Sequence, residues 1–416
     1  MTAEPHLADT AWLQSPPLRR LLAVLDGGGE EARVVGGAAR NALMGLQPAD
    51  IDVATTALPQ EVMRRAEASG IRAVPTGIEH GTVTLVADGV AFEVTTLRQD
   101  VETFGRKARV AFGRDWRADA ERRDFTINAL SITADGVVHD YVDGLADLKA
   151  RRVRFIGDPA RRIAEDFLRI LRFFRFHAAY AEGAPDPAGL HASIAARDGL
   201  AGLSRERVRV EIMKLLTARR AVATVPVMTD AGLTTILTGG VVLLDSFAAM
   251  ARLEADAGLI PDAVRRLGAL CVLVAEDASR LRDRLRLFNA EYDRLNAMAE
   301  GWWRVSPALG AAGSRQLLYR LGADYFTDRA LIAWSRARDG AAPGWANLFA
   351  LPSCWAVPRF PLTSADFIAR GVAKGPALGA ALRAAEEAWI AAGFPDDGPA
   401  LGRIADDTAA AVRPDR

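Results

Sequence analysis
Apolar and polar residues follow two different rhythms along this chain of 416 residues, and the switch between them divides it. Up to about residue 155 the apolar positions come in short runs with a period near two, interrupted by glycine, aspartate and proline, as half-buried strands require. Arg33 to Val35, Asp50 to Val53, Ile71 to Val74, Thr82 to Ala87, Val90 to Leu97, Ser131 to Thr133, Val137 to His139 and Arg151 to Phe155 are the predicted strands. Asp88-Gly89 joins the fourth and fifth as a hairpin, and an Asp-Gly pair turns Ser131 to Thr133 into Val137 to His139. Helical spacing appears in Pro17 to Leu25, from Gly37 to about Gly45, and in Pro59 to Glu67, which opens on proline and has Gly70 beyond its end. From Pro159 the spacing is three and four throughout, with glycine-rich loops near 239, 310 and 340. An α+β fold follows: a mixed sheet with a few helices first, then helices alone. The expected boundaries are 1–148 for the sheet domain, 149–220 for a helical neck and 221–416 for further helices, since one domain rarely reaches this length. The last dozen residues, ending in Arg413-Pro414-Asp415-Arg416, read as frayed.

One stretch fits neither rhythm. Gln99 to Ala120 carries Arg106, Lys107, Arg109, Arg114 and Arg117, glycines at 105 and 113, and few aliphatics. It reads as a loop, either a lid beside a site or an inert excursion.

Two acids and two glycines draw attention to the start of the sheet. On an alternating strand Asp50 and Asp52 share one face, with Ile51 and Val53 on the other. Adjacent carboxylates repel, so a divalent cation between them explains the pair. Mg²⁺ suits it, because it takes a few carboxylates together with phosphate oxygens. Gly36-Gly37 lets the backbone approach a ligand, and the helix that follows turns free N–H groups toward an anion. Asp-x-Asp alone is common on exposed strands and Gly-Gly alone marks many turns; their succession is what points to a triphosphate cradle beside a metal clamp. Glu93 faces away from Phe92 and Val94, as a third acid would, or as an ordinary solvated glutamate does.

Two further clusters carry polar chemistry. In Glu121-Arg122-Arg123-Asp124-Phe125-Thr126-Ile127-Asn128, Arg123 offers a cation for phosphate, while Asp124 and Asn128 offer hydrogen bonds suited to ribose hydroxyls; the same residues could simply open a helix. In the helix expected over Arg161 to Tyr180, Glu165, Asp166 and Arg169 fall on one face, followed by Arg172 and Arg175. That face is either a surface ion pair or a rigid acceptor and donor that mimic the Watson–Crick edge of a base, with Glu165 holding the arginine. Ser204 is the expected cap of a helix to Leu216 with Arg207 in its first turn.

Composition narrows the field. Lys+Arg and Asp+Glu are both 52, so the chain as a whole is not built for polyanions and any such site must be local. Its two cysteines, Cys271 and Cys354, lack zinc or disulfide spacing, and the N-terminus lacks an apolar leader core, so a cytoplasmic protein is expected. No histidine follows His191, which removes a histidine-rich phosphohydrolase module from the helical half. The glycines do not form the G-x-G-x-x-G turn of a dinucleotide-binding dehydrogenase. The six tryptophans from Trp302 to Trp389 read mainly as core, and Arg280, Arg282, Arg284 and Arg286 form a basic run that could meet a phosphate backbone.

Five motifs then occur in one order: GGAARNALMGLQPADID, ERRDFTINALSI, DYVDGLADL, EDFLRILRFFRF and SRERVRVEIMKLL. The series resembles the head and neck motifs of class II tRNA nucleotidyltransferases, the bacterial CCA-adding enzymes of the polymerase-beta superfamily, over residues 33–217. The resemblance implies a mixed-sheet nucleotidyltransferase head followed by all-helical neck, body and tail. It implies that Asp50 and Asp52 bind catalytic Mg²⁺, with Glu93 as the third acid, and that Gly36, Gly37, Arg40, Arg123, Asp124, Asn128 and Arg172 hold sugar and phosphate. Asp166 and Arg169, braced by Glu165, would read cytosine or adenine. The implied substrates are CTP, ATP and the 3′ end of tRNA. Poly(A) polymerases share the head and neck, specialists add only CC or only A, and a non-catalytic RNA-binding relative would have no use for the clustered acids. Two departures stand out: Asn41 where the family usually has aspartate after Arg40, and Phe167 where the neck motif often has proline.

Overall fold
The structure is a computed structural model describing residues 6–48, 50–104, 107–340 and 342–412. The chain divides into two compact units. The first runs to Gly239 and takes in Arg284–Arg286; the second comprises Gly240–Asp283 and Leu287 onward.

Among the described residues, the first unit holds nine strands and eleven α-helices: β1 (Ala32–Val35), β2 (Asp52–Thr55), β3 (Arg72–Gly77), β4 (Thr82–Ala87), β5 (Val90–Thr96), β6 (Arg98–Phe104), β7 (Lys107–Phe112), β8 (Ser131–Ile132) and β9 (Val138–His139), with α1 (Pro16–Leu25), α2 (Gly37–Leu43), α3 (Pro59–Ala68), α4 (Trp116–Glu121), α5 (Gly144–Lys149), α6 (Pro159–Glu165), α7 (Leu168–Tyr180), α8 (Pro187–Ala195), α9 (Arg205–Leu216), α10 (Ala221–Asp230) and α11 (Leu233–Thr238). Seven strands form one mixed sheet in the order β3-β4-β5-β2-β1-β8-β9, in which β2 and β5 are parallel and every other pair antiparallel. The Asp88-Gly89 turn has both residues at positive φ, the twist-matching geometry that hairpins favour. Val83, Leu85 and Ala87 alternate inward along β4 and meet α1, whose Leu18, Leu21, Leu22 and Leu25 form a continuous buried stripe.

Five expectations need correction, four of them before residue 156. The strand at the acids begins at Asp52, and Asp50 stands before it in a bend. The 99–120 stretch is not a loop: β6 and β7 pair antiparallel and α4 follows. A hairpin satisfies its backbone groups within itself, so its low aliphatic content did not prevent strand formation. Gly105 and Arg106, like residues 413–416, lie outside the described residues. Arg151 to Phe155 is not a strand; its only bridge among the described residues joins Phe155 to Phe125. The stretch after Arg123 forms one short 3₁₀ turn, Thr126–Asn128, rather than a helix.

The remaining correction concerns the neck. The helix expected over 161–180 is two helices, α6 and α7, separated by Asp166 in an extended conformation (φ −158°, ψ 109°). The three-and-four spacing runs across the break, which hid it. Helix α7 is fastened to the sheet domain by an aromatic cluster in which Phe125 lies 4.9 Å from Phe155 and 5.2 Å from Phe176, and Phe155 lies 5.4 Å from Phe173. Asp147, fully buried in the first turn of α5, accepts from Thr126 Oγ1 (2.7 Å), Arg152 Nε (2.7 Å) and Arg154 Nε (2.9 Å). Gly144 opens α5 where the Thr126 carbonyl oxygen would stand 2.4 Å from any Cβ.

Burial alone would raise the carboxyls of Asp147 and Asp124, but their hydrogen bonds and arginine partners overcome it and hold both below the usual range. A carboxyl lowered on folding contributes stability above its unfolded value, and that contribution disappears as pH falls through the folded value. The melting temperature should therefore hold down to about pH 5 and drop steeply below about pH 4. Calorimetry across that range checks this, with Asp147→Asn reducing the drop; a flat profile to pH 3 would remove these carboxyls as the cause.

The second unit is wholly helical among its described residues: α12 (Leu244–Asp256), α13 (Ala263–Cys271), α14 (Ala275–Leu285, whose last two residues cluster with the first unit), α15 (Asn289–Ala299), α16 (Gly310–Ser335), α17 (Pro343–Cys354), α18 (Ser364–Ala369), α19 (Pro376–Ala391) and α20 (Gly398–Ala411). Buried Glu254 pairs with Arg265 (3.0 Å) and Arg266 (2.7 Å), and buried Asp328 pairs with Arg265 (2.9 Å) and Arg294 (2.8 Å), tying α12, α13, α15 and α16 together. Trp345 and Trp389 are core, as expected, whereas Trp303 is 57% exposed. In the basic run, Arg280 pairs with Asp277 and Arg282 lies over the Tyr292 ring. Among the described residues no helix is long and apolar enough to cross a membrane.

Candidate functional site
Sheet register builds one end of the site. Strand β2 pairs antiparallel with β1 and parallel with β5, so Asp52 stands opposite Val35 on one side and opposite Glu93 on the other. Partners in register share a face of the sheet. Burial and the neighbouring Glu93 push the Asp52 carboxyl above its usual range; Arg123 opposes this and Asp50 adds to it. Carboxylates that repel one another fit a divalent cation. Among the described residues, no three His, Cys, Asp or Glu side chains stand close enough to form a metal cage by themselves. Asp50 stands before the strand and does not line the cavity described below, so the structure pairs Asp52 with Glu93 rather than aligning Asp50 and Asp52 on one strand.

The glycine turn lies beside this end. Gly36 precedes α2 with φ +69°, a left-handed conformation that favours glycine, and a Cβ there would meet Arg123 Nη1 at 3.4 Å. Arg40, one turn into α2, is buried with neutral acceptors: Asn41 Oδ1 takes Nη2 (2.9 Å) and Nε (3.2 Å), Asn128 Oδ1 takes Nη1 (2.5 Å) and the Tyr180 hydroxyl takes Nη2 (2.7 Å). The guanidinium also lies 3.9 Å from the Tyr180 ring centroid. Asn41 thus still braces Arg40, without charge, and Tyr180 supplies a contact that sequence reading missed because it lies 140 residues away. Burial lowers the Arg40 pKa from its ordinary value. A buried cation held by neutral groups is prepared for an anion. Tyr180→Phe keeps the ring and removes the hydroxyl, and should weaken pyrophosphate binding about two- to fivefold. Calorimetric titration checks this; unchanged affinity would show that Arg40 does not depend on Tyr180.

Asp124, Asn128 and Arg172 join this cradle to the neck. Asp124 Oδ1 accepts from the Phe125 backbone N–H (2.8 Å) and from Asn128 Nδ2 (3.2 Å), and Oδ2 accepts from Arg172 Nε (2.7 Å). The polar groups expected at a ribose therefore also bind one another, in a chain from Arg40 through Asn128 and Asp124 to Arg172.

Glu165, Asp166 and Arg169 form the far end, but not as one helix face. Glu165 closes α6 and accepts from Arg169, one turn later on α7, and from Arg162 (3.2 Å). Arg169 also donates to the Arg162 carbonyl oxygen (2.7 Å). Asp166, in the break, accepts from the Leu168 backbone N–H (3.1 Å) and from Arg207. Arg207 is presented by α9, which Ser204 caps as expected. Acceptor and donor thus have separate braces: Arg207 for Asp166, Glu165 for Arg169.

A cavity of about 570 Å³ connects these parts, running from Asp52 past Gly36, Gly37 and Arg40 to Glu165, Asp166 and Arg169. Its wall carries eight arginines against four carboxylates, so a chain neutral overall concentrates positive charge here. Arg98, Arg122, Phe176 and Arg207 line it without having been singled out as site residues from sequence, and Arg175, named with the neck cluster, lines it as well. Arg122, beside Arg123 in the same motif, was the most accessible of these to sequence reading.

Residues 32–154 match the Poly A polymerase head domain family, and residues 186–239 match the family described as a probable RNA and SrmB-binding site of polymerase A. A CCA-adding enzyme of Limosilactobacillus fermentum is 33% identical over 319 residues, 76% of this chain and 78% of that protein. The mitochondrial CCA tRNA nucleotidyltransferase 1 of Danio rerio is 47% identical over 194 residues, 46% of this chain and 45% of that protein. The chain spans about half the length of such vertebrate relatives. The crystal structure of the Bacillus stearothermophilus CCA-adding enzyme with CTP superposes with a TM-score of 0.75 at 25% identity, covering 95% of this chain and 99% of that one. With a relative matched over three quarters of its length, and with head, neck and helical half all in the family's order, the chain belongs to the class II CCA-adding enzymes of the polymerase-beta superfamily.

Proposed function
We propose that the protein adds C, C and A to the 3′ end of tRNA, using CTP and ATP and releasing pyrophosphate. The observation that carries this reading is the single cavity that joins Asp52, with Glu93 beside it, to Glu165, Asp166 and Arg169 along an arginine-lined wall. In the reaction the terminal 3′-hydroxyl oxygen bonds to the α-phosphorus, the bond from that phosphorus to the bridging oxygen breaks, and pyrophosphate leaves with that oxygen. Asp52 and Asp50 would hold Mg²⁺ together with phosphate oxygens, with Glu93 in register beside Asp52, and the ion would supply a lowered hydroxyl pKa and charge neutralisation at the leaving oxygens. The chain's own part is placement. Arg40, Arg122 and Arg123 take up triphosphate charge, and the Asp124–Arg172 pair holds the sugar end against α7. Asp166 and Arg169 meet the Watson–Crick edge of the base. The two free cysteines suit a reducing compartment, and we assign the protein to the cytoplasm.

The test is direct. The protein is incubated with Mg²⁺ and a tRNA lacking its 3′ end, with CTP, ATP or both, and products are sized at single-nucleotide resolution. Growth by C, C and A followed by a stop supports the proposal. A ladder from ATP alone would make the protein a poly(A) polymerase, growth limited to CC or to A would make it a specialist, and no growth would leave an RNA-binding relative.

A further inference from the structure
Asp119 belongs to none of the site residues expected from the motifs, yet its surroundings fix it tightly. It lies on α4 between two anchors: Trp116 packs with Val35, Ala54 and Leu97 and donates Nε1–H to Glu31 (2.8 Å), while Ala120 packs with Ala129 and Ile156. Between them Asp119 is 3% exposed. Each of its oxygens takes a different arginine. Oδ1 accepts from Arg122 Nε (2.8 Å) and Nη2 (2.6 Å), and Oδ2 accepts from Arg123 Nε (3.3 Å) and Nη2 (3.1 Å). Both arginines line the main cavity, and with Asp119 they also line a smaller one of about 240 Å³ that includes Asp52 and Glu93. Two guanidinium groups this close repel each other; a carboxylate shared between them makes the pair tenable and sets where each points.

We propose that Asp119 is a positioning residue that holds Arg122 and Arg123 together in the orientation that receives the phosphates of the incoming nucleotide. This rests on the nucleotidyl-transfer reading, and binding measurements separate the two. Asp119→Asn keeps the size of the side chain and removes the charge that both arginines share. Calorimetric titration with CTP, ATP and inorganic pyrophosphate, without turnover, should show each binding about tenfold more weakly. In the addition assay the KM for both nucleotides should rise by a similar factor while the KM for tRNA stays within about twofold. Asp119→Glu should recover part of the loss, and Asp119→Asn should add nothing in an Arg122→Gln/Arg123→Gln background. A melting curve confirms that each variant is folded, and the Glu variant serves if the Asn variant is not. Unchanged nucleotide and pyrophosphate binding, equal losses for tRNA and nucleotide, or additivity in the triple variant would overturn the proposal. An unaltered protein that binds nucleotide but extends no tRNA would instead overturn the transferase reading and leave the binding result standing.

Discussion

Asp52→Asn is expected to slow nucleotide addition by about a thousandfold or more, with CTP and ATP affected alike, and to leave the melting temperature unchanged or slightly higher. The two halves of this result have one cause. Asp52 is placed in register with Glu93 and near Asp50, and desolvation together with these like charges pushes its carboxyl above the usual range. An amide of the same size removes the repulsion without opening a cavity, so the fold loses nothing. What is lost is a ligand for the cation that the repulsion implies. Asp50→Ala, made in parallel, tests whether the acid outside the strand shares the role: a comparable loss is expected, and retained Mg²⁺-dependent activity would remove Asp50 from the site. A large drop in melting temperature for Asp52→Asn would make the acid structural and remove the metal assignment altogether.

The contrast between legible and hidden features follows the range of the interactions that create them. The β4–β5 hairpin was readable because every determinant is local: Val83, Leu85 and Ala87 alternate inward and Asp88-Gly89 supplies the positive-φ turn. The stripe Leu18, Leu21, Leu22 and Leu25 identified α1 for the same reason. The β6–β7 hairpin was missed because backbone pairing holds it without an aliphatic signature. The break at Asp166 carries neither glycine nor proline; its extended backbone goes with a side chain that reaches Arg207, 41 residues on, a contact no spacing rule contains. Motif residues fared better than their partners. Arg40, Asp124 and Arg169 could be named from type and order, whereas Tyr180, 140 residues from Arg40, became visible only once α7 was packed. Asp119 stands three and four residues before Arg122 and Arg123, a spacing the sequence does contain, but one that looks like any surface ion pair until α4 is seen to bury it.

Arg169→Ala is expected to reduce discrimination between correct and incorrect bases by about ten- to a hundredfold, measured as kcat/KM for CTP over UTP and for ATP over GTP. The guanidinium is held by Glu165 and by the Arg162 carbonyl oxygen, so part of its donor set is committed to bracing and the rest can face a base edge. Removing it does not strand Glu165, because Arg162 remains within 3.2 Å, and the α6–α7 junction should survive. Arg172, one turn further along α7, keeps its pairing with Asp124, the pair proposed to hold the sugar, so catalysis should persist at reduced rate. Arg207→Ala supplies the matching experiment on the acceptor, since it releases Asp166 from its brace and should blur selection while leaving Arg169 in place. If both variants keep the parent's nucleotide preferences, base choice does not reside at this junction. If selectivity falls together with affinity for tRNA, the arginine serves the shape of the neck rather than the reading of a base.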